Sequence, residues 1–477
     1  MDLLQKNKLL YSRAGFGIAL RDYQQPRPID AALADLFPLA APTGLEAVTE
    51  ADWQQYSPDA MKAMGSEADK KEKQKEFRKR TKDINLMWLQ QMVYTSFPLV
   101  EKTALFWHGH FATRINNPYY DQKLLNILRK NALGNFGDML RQVSKSSAML
   151  QFLNNQQNKK LHPNENFARE VMELFTLGRG HYTEEDIKEA ARAFTGWAHD
   201  GNGDFVFRKR QHDDGLKKFL GREGYFNGDD ILNILLEQKQ TAVFLTQKIY
   251  RYFVSDEKTD EKHVKELAAS FYKSNYDIAA LLKEIFTADW FYKESVAGAK
   301  VKSPVELIVG YQRLLPMQFT NTKTLYSLQR LLGQVLFEAP NVAGWPGGKN
   351  WIDSSSLVVR MRLPEVLLAT QDLDLSPKDT DPEMGEMHHN TTEMQEGAKP
   401  TNIKMARPVV DWDAYLAAWG QTRKEDLPAL LADYLLVPGI TAQQLRETIS
   451  FADHFTDTDY IRSLTILLME LPEYQLG

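Results

Sequence analysis

Residues 163–178, PNENFAREVMELFTLG, read as one capped helix and set the pattern for the rest of the chain. Asn164 suits the N-cap, Glu165 the first turn and Gly178 the position just past the end. On a wheel of 3.6 residues per turn, Phe167, Val171, Leu174 and Phe175 make the core arc. Asn166, Glu170 and Glu173 form a polar ridge beside it, with Glu170 at the border of the arc between Leu174 and Leu177. A carboxylate turned partly to a core needs an arginine, a metal ion or a raised pKa used for acid–base work. Arg114, Arg129, Arg141, Arg169, Arg179 and Arg192 are available as partners, which is the plainer reading. Catalysis or metal binding by Glu170, with Glu173 as the second choice, is the sharper one.

Outward from this helix the same period dominates. Residues 60–95 and 98–177 are expected to be largely helical, and Thr183 with Asp186 three residues later opens another helix running to Trp197. Further helices are expected over about 229–256, 261–272, 276–287, 304–316 and 324–336, and over 354–368 with a kink at Pro364. Ser303 and Glu306 read as the N-cap and N3 of the 304–316 helix. No alternation of strand with helix supports a parallel sheet, and only the glycine-rich arm at 203–225, containing Phe205, Val206 and Phe207, predicts a hairpin. The expected fold is mainly α, a multi-helix globular body with small β-hairpin insertions. Residues 1–370 are expected to form the main helical domain and 409–477 a set of C-terminal helices packed on it. Between them, 371–408 reads as an acidic flexible insertion or linker, because Gln371 to Lys399 holds eight acidic and two basic residues with no apolar spacing.

Composition narrows the function. The chain of 477 residues has no cysteine, which excludes disulfides, thiolate nucleophiles and cysteine-ligated zinc or iron–sulfur clusters. A net charge of -5 gives no global case for a nucleic-acid partner. The basic run from Lys70 to Lys82 is broken by Glu72 and Glu76 and reads as a solvated helix. No segment has 18 consecutive apolar residues, so membrane insertion is not expected. Lys6 and Lys8 interrupt the N-terminal apolar residues, so no signal peptide is read. The expected location is cytoplasmic as written, or exported if a leader has been removed.

Three short constellations carry candidate chemistry. In LFWHGHF, residues 105–111, His110 falls in the apolar arc and His108 points the opposite way, so one regular helix cannot aim both at a single ion. A helix end at Gly109 would free them to converge; a core histidine bonded to a backbone carbonyl is the plainer reading of His110. In QHDDGLK, residues 211–217, His212 and Asp213 end the glycine-rich arm, where a surface turn is the plainer reading and a ligand or general base the sharper one. The expected catalytic set is therefore Glu170, Glu173, His110, His212 and Asp213. His110, Glu170 and His212 are the expected ligands of a divalent metal such as Zn²⁺ with an open position for water, or else an acid–base group. Trp107, Trp197, Trp345 and Trp351, with Arg169, are the expected ligand-binding residues. The loop from Glu338 to Trp351, rich in Gly, Pro and Trp, is expected to be ordered and packed near residues 164–197. No dinucleotide fingerprint, HExxH motif, calcium loop or nucleophile elbow occurs.

Taken in order, these segments resemble the bacterial family known as the domain of unknown function number 1800. The resemblance rests on LYSRAGFG (10–17), FWHGHF (106–111), PNEN with ARE and MELFTLG (163–178), AFTGW (193–197), His212-Asp213 with Lys217, VKSP (301–304) and PNVAGWPGG (340–348). It spans nearly the whole chain. The family carries no established activity. The resemblance implies that relatives are commonly secreted and encoded beside a protein similar to sulfatases and phosphatases, which makes such a protein an expected partner. Two readings follow: a hydrolase with a carboxylate and histidine pocket acting on a carbohydrate or other polar substrate, or a non-catalytic helical scaffold or chaperone-like partner of that exported enzyme.

Overall fold

Side-chain caps start the helices where the sequence places them. Thr183 Oγ1 accepts from Asp186 N while the Asp186 carboxylate accepts from Thr183 N at 2.9 Å, and the helix Glu184–Ala193 follows. Ser303 and Glu306 exchange the same pair of bonds at the head of Pro304–Leu314. Each box satisfies two of the amide donors that a helix start leaves without partners. A computed structural model gives the structure of residues 1–38, 40, 42–54, 66–368, 407–420 and 422–477.

These residues form a mainly helical body with three two-stranded antiparallel sheets. Trp197–His199 pairs with Phe205–Phe207, in the register Trp197 to Phe207. Lys217–Phe219 pairs with Arg222–Gly224, and Met317–Gln318 with Val409–Val410. The expected helix ending at Trp197 therefore stops at Ala193, and Gly196 turns the chain into a strand at φ +82°. The helix expected over 229–256 is two helices, Gly228–Leu236 and Lys239–Phe253, separated by Gln238 in an extended conformation. The helix expected to reach 336 ends at Leu332, where Gly333 takes the left-handed C-cap conformation at φ +86°. The basic helix spans Glu67–Tyr94, and Lys70 and Lys73 pair with Glu67 and Glu76 three residues away.

One contiguous apolar core runs from Leu9 to Tyr474. The helix Leu3–Ala14 buries Leu9, Leu10 and Ala14 completely. Chain segments after 407 join the same core. Lys8 pairs with Asp433 at 2.7 Å, Tyr311 stacks on Tyr474 with ring centroids 5.5 Å apart, and Arg462 on Asp457–Glu470 donates to Leu368 O at 3.0 Å. The acidic stretch expected at 371–408 lies, up to residue 406, outside the described residues. Among the described residues no helix is long and apolar enough to cross a membrane.

Candidate functional site

The segment quoted first is not one regular helix. Asn166–Glu170 is α-helical, and Val171–Thr176 widens into a π-helix in which Leu177 N bonds Met172 O at 2.8 Å and Thr176 Oγ1 bonds Val171 O at 2.6 Å. The wider turn shifts every later residue off the 3.6-residue wheel. Met172 and Thr176 are buried, while Leu174, assigned to the core arc, is only partly so. The end of the π turn leaves carbonyls without helical partners. Side chains from two other helices take them: His110 Nε2 donates to Phe175 O at 3.2 Å, Lys248 Nζ reaches Leu174 O at 3.5 Å, and Gln240 Nε2 donates to Leu177 O at 3.1 Å.

His110 is thereby a closed core residue. Its helix, Pro98–His110, runs straight through Gly109, so His108 and His110 diverge. His110 sits among Phe106, Trp107, Phe111, Phe136 and Phe175. Burial, helped by the charge of Lys248, pushes it well below the usual imidazole range. His108 Nε2 accepts from Phe337 N at 3.1 Å, and burial lowers it to about 3.

The remaining expected site residues are engaged separately. His212 is buried with Nδ1 donating to Thr195 O at 2.9 Å, and Phe207 packs on its ring. Asp213 accepts from Arg192 Nε at 2.8 Å and from Gly215 N at 2.8 Å, which holds its carboxyl below the usual range. Glu173 accepts from Arg179 Nε at 2.5 Å and Tyr182 OH at 2.7 Å; burial raises it, and these bonds outweigh burial to leave it lowered. Glu170 is half-buried and raised, first by burial and then by the charge of Glu173. Arg169 grips Glu184 through two bonds of 2.9 Å and also contacts Glu165. Among the described residues no three His, Asp or Glu side chains are placed to hold a metal ion, so His110, Glu170 and His212 are not the ligands of one metal.

Nor do the tryptophans line one pocket. Trp107 is fully buried with Nε1 donating to Ala132 O at 3.2 Å. Trp197 is packed among Phe167, Phe194 and Phe205. Trp351 is buried, and of these four only Trp345 is partly exposed. The Trp345 loop packs on the end of the Pro98–His110 helix. Trp345 contacts the His108 ring at 5.6 Å, and Gly344, at φ +80°, lies so close that a Cβ there would come within 2.2 Å of Gly109 O.

Charge converges elsewhere, on a small cavity between the N-terminal helix, the Pro98–His110 helix, the Pro304–Leu314 helix and the segment near Tyr474. Its open space, about 30 Å³ for the centres of water-sized molecules, exceeds the roughly 10–15 Å³ that one water requires. Arg13 is 1% exposed; Nη2 donates to Val296 O, while Nε and Nη1 have no partner among the described residues. Lys102 pairs with Glu306, both 5% exposed or less at the side chain. Lys300 Nζ lies 3.8 Å from Asp256, and Lys302 Nζ donates to Tyr474 O at 2.6 Å while sitting 4.0 Å from the centroid of the Tyr474 ring. Lys8, the fifth cation on the wall, is the one paired with Asp433. Burial lowers Lys102 to about 8, Lys302 to about 7 and Arg13 to about 10. Gly17 and Gly310 also line the wall.

None of Arg13, Lys102, Lys302 or Glu306 stood out as a site residue in the sequence. The available signal was the pair Glu101-Lys102 inside the apolar run PLVEKTALFW, residues 98–107, since charges in the middle of such a run must be paired inside the protein. Glu306 was visible only as a capping residue.

The fold and this site define a mainly helical protein with an enclosed cationic cavity. Residues 9–476 match the family described as Protein of unknown function (DUF1800), and the chain belongs to that family. No curated protein and no solved structure matches it.

Proposed function

We propose that the protein binds a small anion in the cavity walled by Arg13, Lys102 and Lys302, and that its activity is exercised through that ligand. The observation that carries the reading is Arg13, an almost wholly buried guanidinium with two unpartnered nitrogens on a cavity wall. Asp256 and Glu306 offset part of its charge from a distance, but buried donors left without an acceptor still cost free energy, so an anion that accepts from them is favoured. Arg360 adds a further buried guanidinium, with Nη1 unpartnered and Nη2 on the carbonyl of Lys302. Hydrolysis at His110, Glu170 and His212 is not part of this reading, because each of those side chains has its own surroundings, and a co-encoded partner is not required by it.

Thermal melts of the full chain in HEPES, titrated with sodium acetate, chloride, sulfate and phosphate at fixed ionic strength, test the reading. At least one anion is expected to raise Tm saturably, as a ligand of the native state must. The same anion should do so less in Arg13→Gln. Melts indifferent to all four anions would overturn the reading.

A further inference from the structure

Resting on the anion reading above, we infer that the cavity is selective for a dianionic tetrahedral oxyanion, phosphate or sulfate, either free or as the end of a small monoester. The first argument is charge. Five cations on the wall, Lys8, Arg13, Lys102, Lys300 and Lys302, face three carboxylates, Asp433, Asp256 and Glu306, in the ion pairs already described. Arg13 and Lys302 are the two wall cations with no carboxylate ion pair of their own, and a dianion that keeps Lys302 protonated matches both, where a carboxylate or halide matches one.

Geometry supplies the second argument. The donors arrive from separate parts of the chain: Arg13 from the N-terminal helix, Lys102 from Pro98–His110 and Lys302 from the approach to Pro304–Leu314. A planar carboxylate presents two oxygens in one plane. A tetrahedral ion presents oxygens in four directions and meets donors that converge from several sides. Size is the third argument. The enclosed space admits a few waters or one small inorganic group, so a large organic remainder has to extend past the rim, where Gly17 and Val437 keep partial exposure. Glu306 is held by Lys102 and by Ser303 N at 2.6 Å, and with Asp256 it offsets part of the Arg13 charge from a distance without bonding to Nε or Nη1.

Isothermal titration of the full chain in HEPES at pH 7.5 with sodium sulfate, phosphate, acetate and nitrate at matched ionic strength is the test. Sulfate or phosphate is expected to bind at one site at least tenfold more tightly than acetate or nitrate, and the ratio of the two dianions says which is the physiological source. Lys302→Gln, at the more exposed side of the cavity, is expected to weaken the dianion at least tenfold and acetate by less; Arg13→Gln, if it folds, should do the same. Acetate or nitrate binding as tightly as sulfate and phosphate would overturn the selectivity and leave the anion reading standing. Failure of all four ions to bind would overturn both. Dianion binding unchanged in folded Lys302→Gln would place the ion elsewhere and overturn both. Should either variant fail to fold, the wild-type selectivity decides alone.

Discussion

His110 Nε2 donates to the carbonyl of Phe175 at 3.2 Å, and this bond fastens the Pro98–His110 helix to the end of the π turn. A carbonyl accepts only, so Nε2 carries a proton, and burial, helped by the charge of Lys248, keeps the ring neutral near pH 7. Nδ1 is buried without a partner. Replacing His110 by Leu leaves Phe175 O with no donor and is expected to cost about 1–3 kcal/mol. Gln, which can still donate, should lose less. Urea unfolding of the two variants measures the difference, and equal losses would show that the bond contributes little.

His108 and His110 also set a pH dependence. Both fold with pKa values below the ordinary 6.5, His108 at about 3 and His110 well below 6.5. Below pH 6.5 the unfolded chain takes up protons that the folded chain refuses. Stability is therefore full above about 6.5 and falls as pH drops, by up to about 1.4 kcal/mol per pH unit for each histidine. Glu470, raised to about 7 by burial, works in the opposite direction between 4.5 and 7. The histidine contribution is isolated by comparing wild type with His108→Gln between pH 6.5 and 5. The variant should lose stability less steeply; parallel curves would show that His108 does not resist protonation.

The sequence revealed the helices because apolar spacing and caps are local properties, and Thr183-Asp186 and Ser303-Glu306 start their helices as their spacing implies. It anticipated a core role for His110 as the plainer of two readings. What it did not reveal is non-local. The π turn at 171–176 depends on outside donors at Lys248, Gln240 and His110, and no 3.6-residue wheel contains them. The cationic cavity gathers residues 13, 102 and the 302–306 stretch, three places far apart in sequence and each ordinary where it stands. The metal site expected for His110, Glu170 and His212 failed for the same reason: a wheel tells which side faces inward and not what waits there.

Gly344 and Gly333 separate two costs of adding a methyl group. Both have positive φ, +80° and +86°. A Cβ on Gly333 meets nothing within 4 Å, while one on Gly344 would come within 2.2 Å of Gly109 O. Gly333→Ala is expected to cost about 1 kcal/mol, from the left-handed backbone alone. Gly344→Ala adds a backbone clash and should cost at least twice that, with the Trp345 loop displaced from His108. Denaturation midpoints, with tryptophan fluorescence as the local probe, decide it; equal losses would count against the close packing of this loop.

Glu101 and Arg129 form the most completely bonded ion pair of the core. Arg129 Nη2 lies 2.6 Å and Nε 2.9 Å from the carboxylate, Trp88 Nε1 donates to it at 2.8 Å, and both charged side chains are about 2% exposed or less. Removing one partner strands a buried charge, so Glu101→Leu is expected to cost about 3–5 kcal/mol. Adding Arg129→Met to it should recover part of that loss. A double mutant destabilised by the sum of the two single losses would mean that the residues act independently.

The cavity lysines predict an alkaline gain in stability. Lys302 is lowered to about 7 and Lys102 to about 8 by burial, against 10.5 for an unfolded lysine. Between those values the unfolded chain binds protons that the ligand-free folded chain has released. Stability therefore rises with pH from about 7 towards 10, by at most about 1.4 kcal/mol per pH unit for each lysine that is neutral when folded. Lys248, lowered to about 8 by burial, adds to the same rise, so the wild-type slope is a sum and a variant is needed to divide it. Buried tyrosines such as Tyr276 and Tyr292, raised well above the ordinary value by burial, oppose the rise only where unfolded tyrosine ionises, near 10. Urea midpoints at pH 7, 8 and 9, in a buffer free of small anions, are expected to increase, and Lys302→Met should flatten the increase most between 7 and 8. A Lys302→Met curve parallel to wild type would mean that Lys302 stays charged in the empty protein, held by the carbonyl and ring of Tyr474. A bound dianion keeps the lysines charged, so adding sulfate at pH 9 should stabilise the protein less than adding it at pH 7.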